Sequence, residues 1–419
     1  MYMAHYISGL SARMILDSRG NPTVEVDCYV DGALAGRAAV PSGASTGSHE
    51  AAELRDADMG RWLGKGVDGA VDNVVEVIQE ALVGMPVDDQ RLIDEVMLEL
   101  DDSGNKAKIG ANAMLGASLA CLHAGANVHQ LPLWRYLGGL AGGSLPVPLM
   151  NILNGGAHAA SNVDVQEFMV VPHGFDHFPD ALRAGVETYH ALKSVLKERG
   201  LLGGVGDEGG FAPNLPKNEE GLALLVQAIE RAGYSPGEQM SIALDVAATE
   251  FHDEAGYHID GGVLDGEGLM DLYSGWLDEY PIVSMEDAFD EDDWATWTAF
   301  NKREGDRVQL VGDDLFVTNI DRFAEGIEMG AANAILIKPN QIGTVTETLE
   351  CIDLAKQNNY GVVISHRSGE TSDDTIADIA VGTRAGQIKT GAPARSDRTS
   401  KYNQLLRIAE TCDEYAVQF

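Results

Sequence analysis

Six short apolar segments in the second half of the chain end at, or directly before, a polar residue that could do chemistry. In chain order these residues are Asp245, Glu286, Asp313, Lys338, His366 and Lys389. The intervals between them are 41, 27, 25, 28 and 23 residues, which is about one strand, one helix and two loops each. A series of strands with charged carboxyl ends is typical of a β/α-barrel enzyme, whose active site lies at that end of the barrel.

The first three of these residues are carboxylates on consecutive predicted strands. Neighbouring strands of a barrel would bring Asp245, Glu286 and Asp313 close together, where they would repel one another unless a cation is present. Oxygen ligands without cysteine or clustered histidine favour Mg²⁺ over Zn²⁺. Each residue alone could equally be the N-cap of the helix that follows, but the three together favour a metal site.

Lys338 directly follows the apolar run 334–337. A lysine in this position should be largely buried, and burial together with nearby cations would lower its pKa from about 10.4. Such a lysine can be neutral and act as a general base. The alternative is a lysine whose ammonium group extends into solvent.

Two other segments offer carboxyl groups. The glycine-rich segment 203–211 contains the acidic pair Asp207 and Glu208, and a carboxyl group held there could be a general acid, although the segment could also be a plain turn. The apolar strand 165–171 contains Gln166 and Glu167. A buried polar pair of this kind needs polar partners, which favours a functional role.

Further candidates lie on loops. Arg367, with Ser368 beside it, is suited to binding phosphate or carboxylate, and Lys389 adds a second inward cation. His158 ends the loop 154–158, and the small-residue loop 41–47 is either a mobile lid or an ordinary exposed turn. Together the groups suit removal of a proton next to a carboxylate, stabilised by a divalent metal, followed by acid-assisted loss of water.

The elements that would position these residues fall into two predicted domains. Residues 1–138 begin with an alternating strand at 23–30 and a hairpin turn at 30–33, and helical periodicity follows at 67–82 and 111–126, which predicts a small α+β domain. A glycine-rich joint precedes residue 144. From 144 to 419 strands alternate with helices, such as 178–199 and 344–358, which predicts an α/β barrel domain.

Composition restricts the function and the setting. Lys+Arg number 29 against 65 Asp+Glu, a net charge of -36, so the surface should repel nucleic acid and anionic membranes. No apolar run is long enough to span a membrane, and no secretory signal is evident. Four scattered cysteines are typical of reduced thiols in a cytoplasmic protein.

The acidic excess has two explanations. At molar salt the Debye length falls to about 3 Å and self-repulsion is screened, so we expect adaptation to a high-salt cytoplasm. The alternative is an ordinary acidic protein. Acidic residues presumed to face solvent, namely Asp287, Asp290, Glu291, Asp292 and Asp293, favour the first explanation.

The motifs, taken in order along essentially the whole chain, resemble the enolase family. The matching segments are 15–26, 41–47, 206–210, 243–248, 311–315, 340–344, 365–370 and 387–396. The resemblance implies a modified eight-stranded β/α barrel behind a smaller α+β domain. It also implies the dehydration of 2-phosphoglycerate to phosphoenolpyruvate in glycolysis and gluconeogenesis, and assembly as a homodimer, through the N-terminal domain, or as an octamer of dimers.

The resemblance also implies how the reaction is divided among the residues. Asp245, Glu286 and Asp313 would hold the tighter Mg²⁺, and Ser45 would help to hold a second Mg²⁺ that arrives with the substrate. Lys338 would be the base at carbon 2. The remaining roles are those of Glu208 as the acid at the carbon 3 hydroxyl, Glu167 as its assistant, Lys389 at the substrate carboxylate, Arg367 and Ser368 at the phosphate, His158 and His366 as lining residues, and Glu286 and Asp313 as substrate neighbours.

Two alternatives stay open. An acid-sugar dehydratase or racemase would share the metal carboxylates, but it would usually carry a Lys-x-Lys pair where this chain has Gln166 and Glu167. A non-catalytic surface or scaffold protein is the second alternative, although every inferred catalytic residue is present. The chain departs from the common family pattern at Met285, Ala288 and Pro339, which flank the predicted ligands and leave the local loop geometry open.

Overall fold

The computed structural model describes residues 5–43, 47–156, 159 and 161–416, and these form two hydrophobic cores. One core is built from residues between Ile7 and Leu133, joined by Val345. The other is built from residues between Trp134 and Tyr415. The change from one core to the other falls close to the glycine-rich joint, while the exact domain bounds of 138 and 144 stay a prediction.

The first domain begins with an antiparallel sheet of three strands. These are β1 (Ile7–Leu16), β2 (Pro22–Val30) and β3 (Ala33–Ala39), in the order β1-β2-β3. The predicted strand and hairpin are confirmed, because Val30 pairs with Ala33 across a two-residue turn. Asp31 and Gly32 in that turn both have positive φ, 52° and 81°, as the tightest right-twisted hairpins require.

Five α-helices follow among the described residues of this domain. They are α1 (Asp68–Asp72), which continues through a π-helical segment (Asn73–Ile78) into α2 (Gln79–Leu82), then α3 (Gln90–Glu99), α4 (Ala111–Val128) and α5 (Leu133–Gly138). The apolar helix α4 is buried over most of its length. It approaches the sheet so closely that a Cβ atom at Gly36 would lie 2.0 Å from the carbonyl oxygen of Ala120.

The second domain contains eleven strands and nine helices among the described residues. The strands are β4 (Val147–Asn154), β5 (Glu167–Val171), β6 (Ser241–Asp245), β7 (His252–Asp253), β8 (Gly256–Ile259), β9 (Gly262–Leu264), β10 (Ile282–Glu286), β11 (Gln309–Gly312), β12 (Ala334–Ile337), β13 (Gly361–Ser365) and β14 (Gly386–Lys389). The helices are α6 (Phe178–Glu198), α7 (Glu219–Arg231), α8 (Gly266–Glu279), α9 (Trp294–Glu304), α10 (Ile320–Met329), α11 (Pro339–Ile342), α12 (Val345–Gln357), α13 (Thr375–Gly382) and α14 (Ser396–Ala409).

Eight of the strands close into a barrel. Its order is β10-β11-β12-β13-β14-β4-β5-β6, and strands β7, β8 and β9 form a separate small sheet. Strand β5 runs antiparallel to both of its neighbours, whereas the other barrel pairs are parallel. The expected fold, an eight-stranded barrel of modified topology preceded by a smaller α+β domain, is confirmed.

The barrel strands end where the sequence predicted. Strands β6, β10 and β14 end on Asp245, Glu286 and Lys389. Strands β11, β12 and β13 end one residue before Asp313, Lys338 and His366. The strands are short and almost wholly buried, so an apolar run that stops at a charged residue marks the barrel mouth accurately.

Local capping fixes where several outer helices begin. The side chains of Asp265, Asp293, Asn319 and Thr344 accept hydrogen bonds from the first turns of α8, α9, α10 and α12, respectively. Each cap satisfies a backbone N–H group that has no partner within its own helix. The cap at Thr344 explains why the predicted helix 344–358 is observed as Val345–Gln357.

Two predictions from composition can be compared with the fold. All four cysteines are buried free thiols, as expected. Among the helices of the described ranges, none is both long and apolar enough to cross a membrane.

Candidate active site

The three predicted metal carboxylates lie side by side at the barrel mouth. Asp245 and Glu286 are directly paired in register at the ends of β6 and β10, and Asp313 follows the next strand, β11. All three are buried. The closed barrel therefore brings together the carboxylates that the strand spacing predicted, although their metal-binding role stays a prediction.

Lysines lie among these carboxylates. The Nζ atom of Lys389 is 2.7 Å from an oxygen of Asp245, 2.7 Å from an oxygen of Glu286 and 3.2 Å from Oε1 of Glu167. The ammonium group of Lys338 donates to Oδ2 of Asp313. Two ammonium groups thus face four carboxylates. Burial opposes the charge on Lys389, but the surrounding carboxylates outweigh burial and raise its pKa well above the ordinary value.

The pKa of Lys338 differs from the sequence prediction. The side chain is largely buried, at 13% exposure, as expected. Burial is the largest influence on the pKa of Lys338 and lowers it, as do Arg367 and Lys389, but the Asp313 and Glu286 carboxylates together outweigh these effects and the pKa is raised. The predicted lowering was wrong for this arrangement, because the sequence does not show that Lys338 and Asp313 contact each other directly.

The position of Asp287 also differs from the sequence prediction. The sequence placed it on the solvent-facing surface, but it is buried and accepts hydrogen bonds from the backbone N–H groups of Asp313 (2.9 Å) and Asp314 (2.8 Å). Burial, followed by the charges of Asp314 and Asp313, raises the pKa of Asp287 well above its ordinary value. Asp287 therefore holds the loop that carries Asp313, which a surface residue could not do.

The predicted acid lies on another side of the mouth. Glu208 is buried and accepts a hydrogen bond of 3.2 Å from Nδ2 of Asn151 on β4. Its neighbour Gly209 has a φ of 90°, a conformation that favours glycine. The glycine-rich segment therefore directs a carboxyl group into the barrel and is more than a plain surface turn.

Glu167 lies next to Glu208, with which it shares a buried site. Burial and then the charge of Glu208 raise the pKa of Glu167 well above its ordinary value, and Lys389 only partly offsets them. Two such close carboxyl groups cannot both ionise easily. The predicted burial of the pair at 166–167 is confirmed. The predicted polar partner of Gln166 is Asp245, because Nε2 of Gln166 donates to Oδ2 of Asp245 at 3.0 Å.

The loop after β13 carries the predicted anion-binding group. Arg367 and Ser368 are buried. The guanidinium of Arg367 donates to both carboxylate oxygens of Glu50, at 3.0 and 3.2 Å, and to Oδ1 of Asn340, at 3.2 Å. Glu50 belongs to the N-terminal domain, so the smaller domain helps to position the arginine at the barrel mouth.

Two predicted site residues, Ser45 and His158, lie outside the described residues. The part of the 41–47 loop that is described is anchored: the backbone of Ser42 exchanges two hydrogen bonds with Gly369, at 2.7 and 2.9 Å, and its hydroxyl donates to Asp17 at 2.6 Å. Ser42 is wholly buried, so this part of the loop is not an exposed turn.

Sequence reasoning missed several residues that shape the site. They are Glu50, Asn151, Gln341 and Arg398. Asn151 could have been found, because it is a polar residue within the apolar strand β4. Gln166 and Glu167 were found by the same kind of signal, a polar pair beside the apolar part of β5. Glu50, Gln341 and Arg398 reach the site from a loop and from two helices. Gln341 lies in the family-like segment 340–344, but no role was predicted for it, and nothing in the local sequence of Glu50 or Arg398 indicates a place in the site.

Most of these groups converge on one cavity, whose described lining does not include Glu286 or Asp313. Its lining includes Gln166, Glu167, Glu208, Asp245, Lys338, Ser365, His366, Arg367, Ser368 and Lys389. Lys338 comes from β12 and Glu208 lies against β4, which stands three places away around the barrel. A small anionic molecule in this cavity would therefore have a lysine and a carboxyl group available on different sides.

The donor set suits a divalent cation. Burial, and then the charge of Asp245, raise the pKa of Glu286 well above its ordinary value, although Lys389 and Lys338 oppose this. Buried oxygens of Gln166 and Glu167 have no hydrogen-bond partner among the described residues. Uncompensated carboxylates and unpaired oxygens are the environment that a hard cation favours.

The fold and the site define a class of protein, a β/α-barrel enzyme with a buried acid-and-lysine centre at the barrel mouth. Two family models cover almost the whole chain. The model for the N-terminal domain of enolase matches residues 7–137, and the model for the enolase C-terminal TIM barrel domain matches residues 143–418. The chain therefore belongs to the enolase family, whose enzymes are hydro-lyases.

Proposed function

We propose that this protein catalyses the Mg²⁺-dependent, reversible dehydration of 2-phosphoglycerate to phosphoenolpyruvate, a step of glycolysis and gluconeogenesis. The observation that carries the proposal is the single cavity that Lys338, Glu208 and Arg367 line together. Family membership supports the same reaction. Proton abstraction beside a carboxylate needs a base, and loss of a hydroxyl group needs an acid on another side of the substrate. The cavity offers a lysine and a carboxyl group for these two tasks.

Asp245, Glu286 and Asp313 would hold the tighter metal ion, and Ser45 would help to hold a second one. A bound divalent cation stabilises the negative charge that develops on a substrate carboxylate. The same cation would compete with Lys338 for Asp313, the carboxylate that now raises the pKa of Lys338. The metal-binding residues and the base are thus linked through one shared carboxylate.

Lys338 would remove the proton at carbon 2. Its side chain lies among carboxylates on one side, and Arg367 and Lys389 contribute positive charge from another. Lys389 would bind the substrate carboxylate, and Arg367 with Ser368 would bind the phosphate, for which a planar guanidinium is well suited. Glu50 would keep Arg367 in place through the two hydrogen bonds described above.

Glu208 would protonate the leaving hydroxyl at carbon 3. Glu167, whose raised pKa favours its protonated form, would assist by keeping a proton available within the pair. His366 and His158 would line the pocket beside these acids.

Several broader features belong to the same proposal. The N-terminal domain would span residues 1–138 and the catalytic domain residues 144–419. The protein would be cytoplasmic and would form a homodimer or an octamer of dimers. The net charge of -36 supports a high-salt-adapted, haloarchaeal-type origin, because dense negative charge is tolerated when salt screens it.

The direct test is phosphoenolpyruvate absorbance after addition of 2-phosphoglycerate, with Mg²⁺ or with a chelator, in about 0.1 M and in multimolar KCl. A rise that requires Mg²⁺ is expected. No rise in any condition, from protein shown to be folded, would contradict the proposed reaction and would favour an acid-sugar substrate or a non-catalytic role.

Salt adaptation needs its own measurement. Unfolding by heat should shift to higher temperature as KCl increases from about 0.1 M into the multimolar range, because exposed carboxylates then repel one another less. If the unfolding temperature did not depend on KCl, the high-salt proposal would be wrong, while the proposed reaction would be unaffected.

A further inference from the structure

Arg398 is a wholly buried cation that neither the predicted chemistry nor the metal site uses. It lies in the first turn of α14, and its exposed fraction is 0%. Its Nη1 atom is 2.5 Å from Nδ1 of His366 and 2.5 Å from the carbonyl oxygen of Arg367. Its Nη2 atom donates to the carbonyl oxygens of Ser368 (2.5 Å) and Asp207 (3.1 Å). Its Nε atom lies 2.9 Å from Oδ2 of Asp397, so the charge is paired, but burying even a paired charge is costly.

We propose that Arg398 is a positioning residue that fixes the tautomer of His366, so that His366 presents its Nε2–H group to the carboxyl group of Glu208. This inference depends on the proposed role of Glu208 as the acid.

The tautomer follows from the donor inventory of the two side chains. A guanidinium has only N–H donors and no acceptor. A short contact with Nδ1 of His366 therefore requires that Nδ1 accepts, and in a neutral imidazole the proton then resides on Nε2.

The surroundings keep this histidine neutral. Burial lowers the pKa of His366 well below its ordinary value, and the positive charges of Arg398, Lys389 and Lys401 act in the same direction, while Glu208 alone opposes them. The geometry and the charges thus agree on a neutral ring with Nε2–H.

That N–H group lies close to the acid. Nε2 of His366 lies 3.7 Å from Oε2 of Glu208 and has no hydrogen-bond partner among the described residues, although the side chain is buried and lines the cavity. A donor placed there stabilises the carboxylate that forms when Glu208 gives up its proton. Arg398 thereby acts on the proton transfer through His366.

Arg398 also connects two loops, because it bonds to carbonyl groups on both sides of the site. A purely structural explanation is therefore available, and the experiment must separate the two. Arg395 provides the matched control, since it lies just before α14 and donates to the carbonyl oxygens of Gly206 and Ser18, both at 3.3 Å. Within the described part of the chain it has no hydrogen bond to His366.

The first measurement is the ¹⁵N NMR spectrum of the whole, ¹⁵N-histidine-labelled protein, with His366 assigned by comparison with His366→Gln. We expect Nε2 to be protonated and Nδ1 unprotonated. In Arg398→Gln the amide oxygen can accept from Nδ1, so part of the population should change tautomer, and Arg398→Lys should restore the original state. A protonated Nδ1 in the unmodified protein would overturn the inference, whether or not any variant folds.

The second measurement is kinetic. Arg398→Gln should lower kcat for dehydration by about 10- to 100-fold, by analogy with the loss of the partner that orients a metal-bound histidine, with a smaller change in KM. Arg398→Lys should recover part of kcat, and Arg395→Gln should stay within about twofold of the parent protein. Equal losses in Arg398→Gln and Arg395→Gln, without a change of tautomer, would overturn the inference in favour of loop tethering.

The two measurements also separate this inference from the proposed function. If the unmodified protein did not dehydrate 2-phosphoglycerate, the proposed function would fail. If it did so with the opposite tautomer of His366, only the inference about Arg398 would fail.

Discussion

The two ends of the barrel solve the problem of buried polar groups in opposite ways. At the base, Gln309 on β11 and Gln387 on β14 form a reciprocal amide pair, with N···O distances of 2.9 and 2.7 Å, and Gln309 also donates to the hydroxyl of Ser284 at 3.0 Å. At the mouth, a few residues further along the same strands, Asp313 and Lys389 are ionised groups in a crowded site.

This contrast favours the mouth as the end that carries the proposed function. The neutral groups at the base, of which Ser284 and Gln387 are buried and Gln309 is half-buried, satisfy one another, as polar groups in a stable core must. The mouth concentrates charge, raises the pKa of Glu167 and Glu286 and leaves buried oxygens unpaired. Such an arrangement lowers the stability of the fold. Bound ligands would compensate the crowded charges and pair the unpaired oxygens. Changes at the mouth should therefore affect chemistry, whereas changes at the base should affect stability.

The largest effect is expected for Lys338→Met. Without its base, the protein should form phosphoenolpyruvate roughly 10⁴-fold more slowly, the upper range for loss of a general base, while circular dichroism shows a folded chain. Lys302→Met, at an exposed lysine of α9, is the matched control and should retain the parent rate. A Lys338→Met rate above about one hundredth of the parent rate would remove Lys338 as the base.

A second test uses metal binding without any activity measurement. Mg²⁺ should raise the unfolding temperature, because a ligand at about 100 times its Kd stabilises the folded state by about 2.7 kcal/mol. Asp245→Asn should lose most of this shift, and Glu99→Gln, at an exposed position of α3, should keep it. If Asp245→Asn responded to Mg²⁺ like the parent, the carboxylates at the mouth would not be the metal site.

The base of the barrel should behave differently. Gln387→Leu leaves the amide of Gln309 partly unsatisfied, which should lower the free energy of unfolding by about 1–3 kcal/mol in urea titrations. The double variant Gln309→Leu/Gln387→Leu removes both polar groups and should recover part of that loss. Both variants should keep kcat within about twofold of the parent value. A large fall in kcat in a fully folded variant would show that the base of the barrel also affects the chemistry.

Much of this contrast could be predicted from the sequence. Apolar runs that stop at Asp245, Glu286 and Lys389 predicted the position of the barrel mouth, because fully buried strands appear in the sequence as short, continuous apolar runs. The helix predicted at 178–199 is observed as Phe178–Glu198, since its amphipathic period is long and regular. The order of strands and helices along the chain also predicted a small α+β domain before the barrel.

The remaining features depend on contacts between distant parts of the chain. The pairing of Lys338 with Asp313, and hence the direction of the pKa shift, is a side-chain contact that spacing does not encode. Asp287 looked like a surface acid because its neighbours are acidic, yet its carboxylate is buried under the Asp313 loop. Arg398 reaches the site from a helix whose local sequence resembles any charged surface helix.

The central claim is that the mouth divides the reaction between a base at Lys338 and an acid at Glu208. The most direct test is to follow, in one experiment in D₂O with Mg²⁺, both the exchange of the carbon 2 proton of 2-phosphoglycerate and the formation of phosphoenolpyruvate by Glu208→Gln. We predict that exchange stays measurable because Lys338 is intact, while dehydration is blocked. Equal loss of both processes, in a folded protein that still binds Mg²⁺, would contradict the division.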